Sequence, residues 1–124
     1  TEVNEDLAEI AATLARQKSC VVVVTGAHDI VAGGSGPYVV KNGCAIMSRG
    51  VGTGCMAASV IGAFAGACPE DIALAAGSGL ACFGIAAEIA EKQSGGPGTF
   101  KERLFDSIAD LSERTVESMR RIDR

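Results

Sequence analysis

Gly50-Val51-Gly52-Thr53-Gly54-Cys55 and the apolar run Met56-Ala57-Ala58-Ser59-Val60-Ile61 behind it are the residues here best placed to do chemistry. A glycine-rich turn that opens onto a helix gathers unpaired backbone N–H groups around one point. The helix dipole adds partial positive charge at the same point. Together they make an anion site, and phosphate is its usual occupant. The cradle would consist of Gly52, Thr53, Gly54 and Cys55. The Cys55 thiol would sit at its lip, and a helix N-terminus favours the ionised form of a thiol placed there. The stretch is not a P-loop, because no lysine follows Gly54, and its third glycine comes one residue early for a dinucleotide fingerprint. A tight turn entering a core helix, with no ligand, accounts for the same residues.

Other reactive side chains are few. Thr25 closes an apolar run and reads as a strand-end hydroxyl bonded to nearby backbone. His28 is the sole histidine and reads as an exposed turn residue, with Asp29 beside it serving the turn. Glu88 and Glu91 read as solvated, and Met47 and Met56 as core or pocket wall. The five cysteines are odd in number and form no C-x-x-C pair, a pattern suited to a reducing cytosol. Cys20, Cys68 and Cys82 read as small buried hydrophobes. With one histidine and no H-E-x-x-H, no residue is assigned to a metal.

A net charge of −4 disfavours nucleic acid and anionic membranes as partners. Arg114, Arg120, Arg121 and Arg124 gather near the C-terminus, where they suit a helix end and a solvated tail. Residues 72–87 carry no charge. That run falls short of the roughly 20 residues a membrane span needs, and its glycines suit a tightly packed core helix.

The elements that must position these residues follow from periodicity. Leu7, Ile10, Ala11 and Leu14 recur at helical spacing, which predicts an amphipathic helix over residues 5–17 with its start at Asn4. Residues 20–25 form a β-branched run, read as a strand buried on both faces inside a parallel sheet. Residues 29–32 and 37–41 flank Gly33-Gly34-Ser35-Gly36, which predicts a hairpin on the sheet edge, with a second turn at Asn42-Gly43. The second helix runs from the glycine loop to about residue 67. Apolar all round, it is expected to be buried. Cys68-Pro69-Glu70-Asp71 opens a third helix that reaches about residue 93. After the break at residues 94–98, Thr99-Phe100-Lys101-Glu102 reads as a capping box that launches a last helix carrying Leu104, Ile108 and Leu111.

Val22-Val23-Val24-Thr25-Gly26, the hairpin, Gly52-Thr53-Gly54-Cys55 and Gly96-Pro97-Gly98-Thr99-Phe100 occur in this order and at suitable separations. Together they resemble the C-terminal half of hydroxyethylthiazole kinase, a member of the ribokinase-like superfamily. The likeness covers essentially all 124 residues. G-T-G-C is its specific part, since most members of the superfamily carry aspartate at the position of Cys55. Two positions depart from the family pattern: Val51 stands where threonine is usual, and Cys44 where a histidine often follows the Asn-Gly turn.

The resemblance implies an α/β fold, half of a three-layer sandwich with a mostly parallel sheet and an edge hairpin. It implies ATP-dependent phosphorylation of the hydroxyl of 4-methyl-5-(2-hydroxyethyl)thiazole, in thiamine biosynthesis or salvage, with Mg²⁺ accompanying ATP. Thr25 corresponds to an ATP contact, Gly52 to a substrate contact and Cys55 to the catalytic residue at the anion hole. The resemblance further implies a cytoplasmic trimer with the thiazole pocket shared between subunits. Residues 1–124, which begin without methionine, read as the C-terminal portion of one kinase domain. The N-terminal half, with most of the magnesium ligands, is expected to lie outside this chain, so the chain alone is expected to be inactive. A nonenzymatic nucleotide-binding or oligomerisation module, or a related small-molecule kinase, fits the same composition.

Overall fold

The computed structural model describes residues 2–50 and 52–124, with the side chains of residues 2–4 outside the description. Val51 therefore lies outside the described residues, and so does any cap supplied by the Asn4 side chain. The first helix, α1, spans Glu2–Lys18. Three strands follow: β1 (Val22–Val24), β2 (Asp29–Ala32) and β3 (Tyr38–Val40). A short 3-10 helix covers Ala45–Arg49. The helices α2 (Thr53–Ala67), α3 (Ile72–Lys92), α4 (Pro97–Ala109) and α5 (Glu113–Met119) lead to a two-residue strand β4 (Ile122–Asp123).

The four strands form one sheet in the order β1-β2-β3-β4, and every pairing is antiparallel. This corrects the expected mostly parallel sheet. Four residues join β1 to β2 and five join β2 to β3, whereas a parallel crossover needs a dozen or more. The hairpin forms as the glycine turn predicts, with Val31 opposite Tyr38. Its strands occupy the middle of the sheet, however, and β1 and β4 are the edges. The β-branched run of β1 packs on both faces but is only half-buried, short of the full burial expected, because β1 is an edge strand. Val22 and Val24 pack with Ala11, Ala15 and Ala32 on the α1 side. Val21 and Val23 pack on the main core with Val31, Val40 and the helices behind. A run apolar on both faces reports that helices cover both faces and says nothing of strand direction.

The core centres on α3, whose Ala73, Ala76, Leu80, Phe83, Ala86, Ala87 and Ala90 are buried. This helix is long and apolar enough to cross a bilayer by length and composition, yet two thirds of that window is buried within the fold. Its small residues let neighbours approach. Gly77 lies under Tyr38, and Gly79 under Phe64 of α2.

Several expectations are overturned. In α1 the small residues Ala11 and Ala15 face the sheet, while Leu7, Ile10 and Leu14 are exposed. In α2 only Ala57 is buried, so the helix packs on α3 by one narrow stripe despite being apolar all round. Cys20 is exposed, and Cys68 and Cys82 are half-buried. The α4 helix starts at Pro97, without a side-chain cap, in place of the capping box at Thr99. The final helical run divides, because Ser112 caps a separate α5 through its hydroxyl, which accepts from the Thr115 amide at 3.2 Å.

Candidate functional site

The sheet end and the start of α2 meet around one cavity of about 740 Å³. Thr25, Gly26, His28 and Asp29 form one wall, at the end of β1 and in the turn to β2. Residues 41–45, with Met47 and Ser48, form a second wall, and Thr53, Gly54 and Ala57 of α2 a third. Leu80, Phe83 and Gly84 of α3 make the floor. Thr25 and Thr53 are thus brought to one space from opposite ends of the intervening segment.

The glycine loop opens directly onto α2. Gly52 is the N-cap of α2 at φ +97°, a left-handed conformation that side chains other than hydrogen rarely adopt. No side chain caps the helix there. The helical ladder begins with the Met56 amide donating to the Gly52 carbonyl at 3.0 Å, so the amides of Thr53, Gly54 and Cys55 precede it. The Thr53 hydroxyl donates to the Met47 carbonyl at 3.0 Å and ties the first turn of α2 to the 3-10 helix. Of the expected site residues, Thr25, Thr53 and Gly54 line the cavity. Gly52 and Cys55 do not, and Cys55 is exposed in the first turn of α2.

The titratable groups of the cavity are dominated by burial. Desolvation raises the Asp29 carboxyl above its ordinary range, against the opposing effects of the Gly26 amide and His28. That amide donates to Asp29 Oδ1 at 3.0 Å, which is the turn role expected of Asp29. Burial, with help from Glu91, pushes the Cys44 thiol up to about 11. Among the described residues no three His, Cys, Asp or Glu side chains converge as a metal cluster.

The residues that shape the second wall escape a reading of the sequence. Asn42 is buried, at 4 % exposure. Its amide donates to the Met119 carbonyl at 2.9 Å and to Glu88 Oε1 at 3.3 Å, and its Oδ1 accepts from the Arg121 amide at 2.7 Å. Glu88 also accepts from the Gly43 amide at 2.9 Å and from the Arg121 guanidinium. The expectation of a solvated Glu88 is therefore wrong. Arg121 holds Glu88, and Arg124 lies over the Tyr38 ring while donating to the Ser35 carbonyl at 2.8 Å. An Asn-Gly pair signals a turn, and nothing local marks it as the partner of a glutamate 46 residues away.

Residues 1–114 match the sequence model of the hydroxyethylthiazole kinase family. The chain is 44 % identical over 123 residues to hydroxyethylthiazole kinase of Methanosarcina acetivorans, covering 99 % of this chain and 47 % of that protein. It is 45 % identical over 112 residues to the enzyme of Roseiflexus castenholzii, covering 90 % of this chain and 41 % of that one. The solved structure of hydroxyethylthiazole kinase from Pyrococcus horikoshii superposes with a TM-score of 0.90 at 33 % identity, over 98 % of this chain and 47 % of the other. The chain spans about half the length of the curated relatives it matches.

Proposed function

The chain belongs to the hydroxyethylthiazole kinase family, and from that premise we propose that it is the C-terminal half of a kinase that phosphorylates the hydroxyl of 4-methyl-5-(2-hydroxyethyl)thiazole with ATP, in thiamine biosynthesis or salvage. The observation that carries this is the shared cavity: Thr25 at the sheet end faces the space into which the start of α2 opens. Phosphoryl transfer asks a protein for positioning and charge stabilisation more than for covalent chemistry. The amides of Thr53, Gly54 and Cys55 hold a phosphate as charge develops on it, each worth about 3 kcal/mol when well aimed. Thr25 contacts ATP, and Gly52 contacts the thiazole alcohol. Cys55 serves the acceptor hydroxyl, and its exposure leaves it open to an acceptor that the rest of the protein presents.

Magnesium accompanies ATP and takes its ligands from the remainder of the fold. The intact protein works in the cytoplasm as a trimer that shares the thiazole pocket between subunits. The exposed Leu7, Ile10 and Leu14 and the open face of α2 support a larger assembly, since a domain of this size rarely leaves so much apolar surface uncovered.

The test is amide NMR of the 124-residue chain titrated with MgATP, beside a thiazole phosphorylation assay. Shifts concentrated at Thr25, Gly54 and Cys55, with no turnover, are expected. Shifts elsewhere only would refute the ATP site, and robust turnover by this chain would refute the half-domain reading.

A further inference from the structure

We propose that Glu88 is a positioning residue for the site, clamping the Asn42-Gly43 wall through the C-terminal strand so that the end of the chain sets the shape of the cavity. This deepens the reading of the cavity as an ATP site and rests on it.

Glu88 does not line the cavity. Its side chain is 13 % exposed and serves three partners: the Gly43 amide, the Asn42 amide and the Arg121 guanidinium. Arg121 in turn donates to the Lys41 carbonyl at 3.3 Å, and the Lys41 amide donates to the Arg121 carbonyl at 2.9 Å. The wall is thus held from behind by α3 and from the side by the chain end. From Gly43 the constraint continues toward the cradle. The Met47 amide donates to the Cys44 carbonyl at 3.2 Å, and the Met47 carbonyl accepts from the Thr53 hydroxyl. Hydrogen bonds, linked by the backbone from Gly43 to Cys44 and through Met47, therefore join residue 121 to the first turn of α2. Charge-assisted bonds of this kind are the strong ones, and they fix geometry as well as energy. Arg121 lies beyond the residues matched by the family sequence model, while Glu88, Asn42 and Gly43 lie within them.

Amide NMR and MgATP titration of the 124-residue chain carrying Glu88→Ala, Glu88→Gln and Arg121→Lys test this. Folded Glu88→Ala should displace the resonances of Gly43 and also those of Thr53 and Gly54 across the cavity. It should weaken MgATP binding about tenfold, a cost in keeping with slight misplacement of a binding group. Glu88→Gln retains an acceptor oxygen but loses the charge, and should fall between the parent and Glu88→Ala in both readouts. A residue that serves stability alone would lower Tm and leave Thr53, Gly54 and the affinity of the folded fraction unmoved, which overturns the proposal. Should Glu88→Ala not fold, Arg121→Lys decides: it should displace the same resonances by less, and no displacement overturns the proposal. If the parent chain does not respond to MgATP, the ATP reading fails, while the ligand-free resonances still decide the clamp.

Discussion

The α-carbon of Gly84 lies so close to Asn42 that a Cβ there would sit 2.5 Å from the Asn42 carbonyl carbon and oxygen. Both residues border the cavity, so α3 and the wall loop meet backbone to backbone at its floor. Gly84→Ala should therefore destabilise the chain by about 1–3 kcal/mol, the usual cost of overpacking. Gly62→Ala is the control. Nothing lies within 4 Å of a Cβ at that helical position, and the change should stabilise by about 0.5–1 kcal/mol. Urea denaturation of both variants gives the comparison, and equal effects would refute the close approach.

Cys44 and Cys55 should differ sharply toward alkylating agents. Cys55 is exposed, whereas burial together with Glu91 holds the Cys44 thiol near about 11. At pH 8 about one Cys44 in a thousand is ionised, and the thiolate is the species that reacts. Iodoacetamide followed by peptide mass mapping should find Cys55 modified early and Cys44 late. The Cys44 rate should climb about tenfold per pH unit up to pH 11. Comparable rates at pH 8 would show that Cys44 is not held in its neutral form.

Asp29 should cost stability at neutral pH. Its folded carboxyl is raised by desolvation, so the native state holds the proton more tightly than the unfolded chain does. The cost is absent below the unfolded value of 3.8 and fully present above the folded one. Asp29→Asn keeps an oxygen for the Gly26 amide and removes the charge. The variant should have the higher Tm at pH 7, and its advantage should shrink as pH falls through the raised folded value and be gone below 3.8. An advantage that grows with acid would reverse the sign argued here.

In the proposed kinase, Cys55→Asp should retain or raise activity and Cys55→Ala should lower kcat/KM by about a hundredfold, the low end of what a general base supplies. Alanine keeps the amide cradle, so activity falls without vanishing. Aspartate supplies an ionised acceptor for the hydroxyl proton beside a helix N-terminus, which favours an anion by about 0.3–1 kcal/mol. The measurement is kcat/KM across pH for the three forms. Alanine equal to the parent at every pH would make Cys55 a packing residue.

The sequence by itself determined the punctuation of this fold. Gly33-Gly34-Ser35-Gly36 set the hairpin, Gly52-Thr53-Gly54 set the start of α2, and Asp71 set the start of α3 by accepting from the Leu74 amide at 3.1 Å. These features depend on local backbone preferences, which a few neighbouring residues suffice to impose. The same local signal carried the family motifs that point to Thr25, Gly52 and Cys55. Strand direction, the exposed face of α1 and the thin burial of α2 were decided by tertiary structure, because periodicity reports that a face is apolar and not what covers it. Asn42, Glu88 and Arg121 show the limit most clearly. Each is an ordinary polar residue in its own segment, and each acquires its role only when folding brings together groups up to 79 positions apart and removes water from between them.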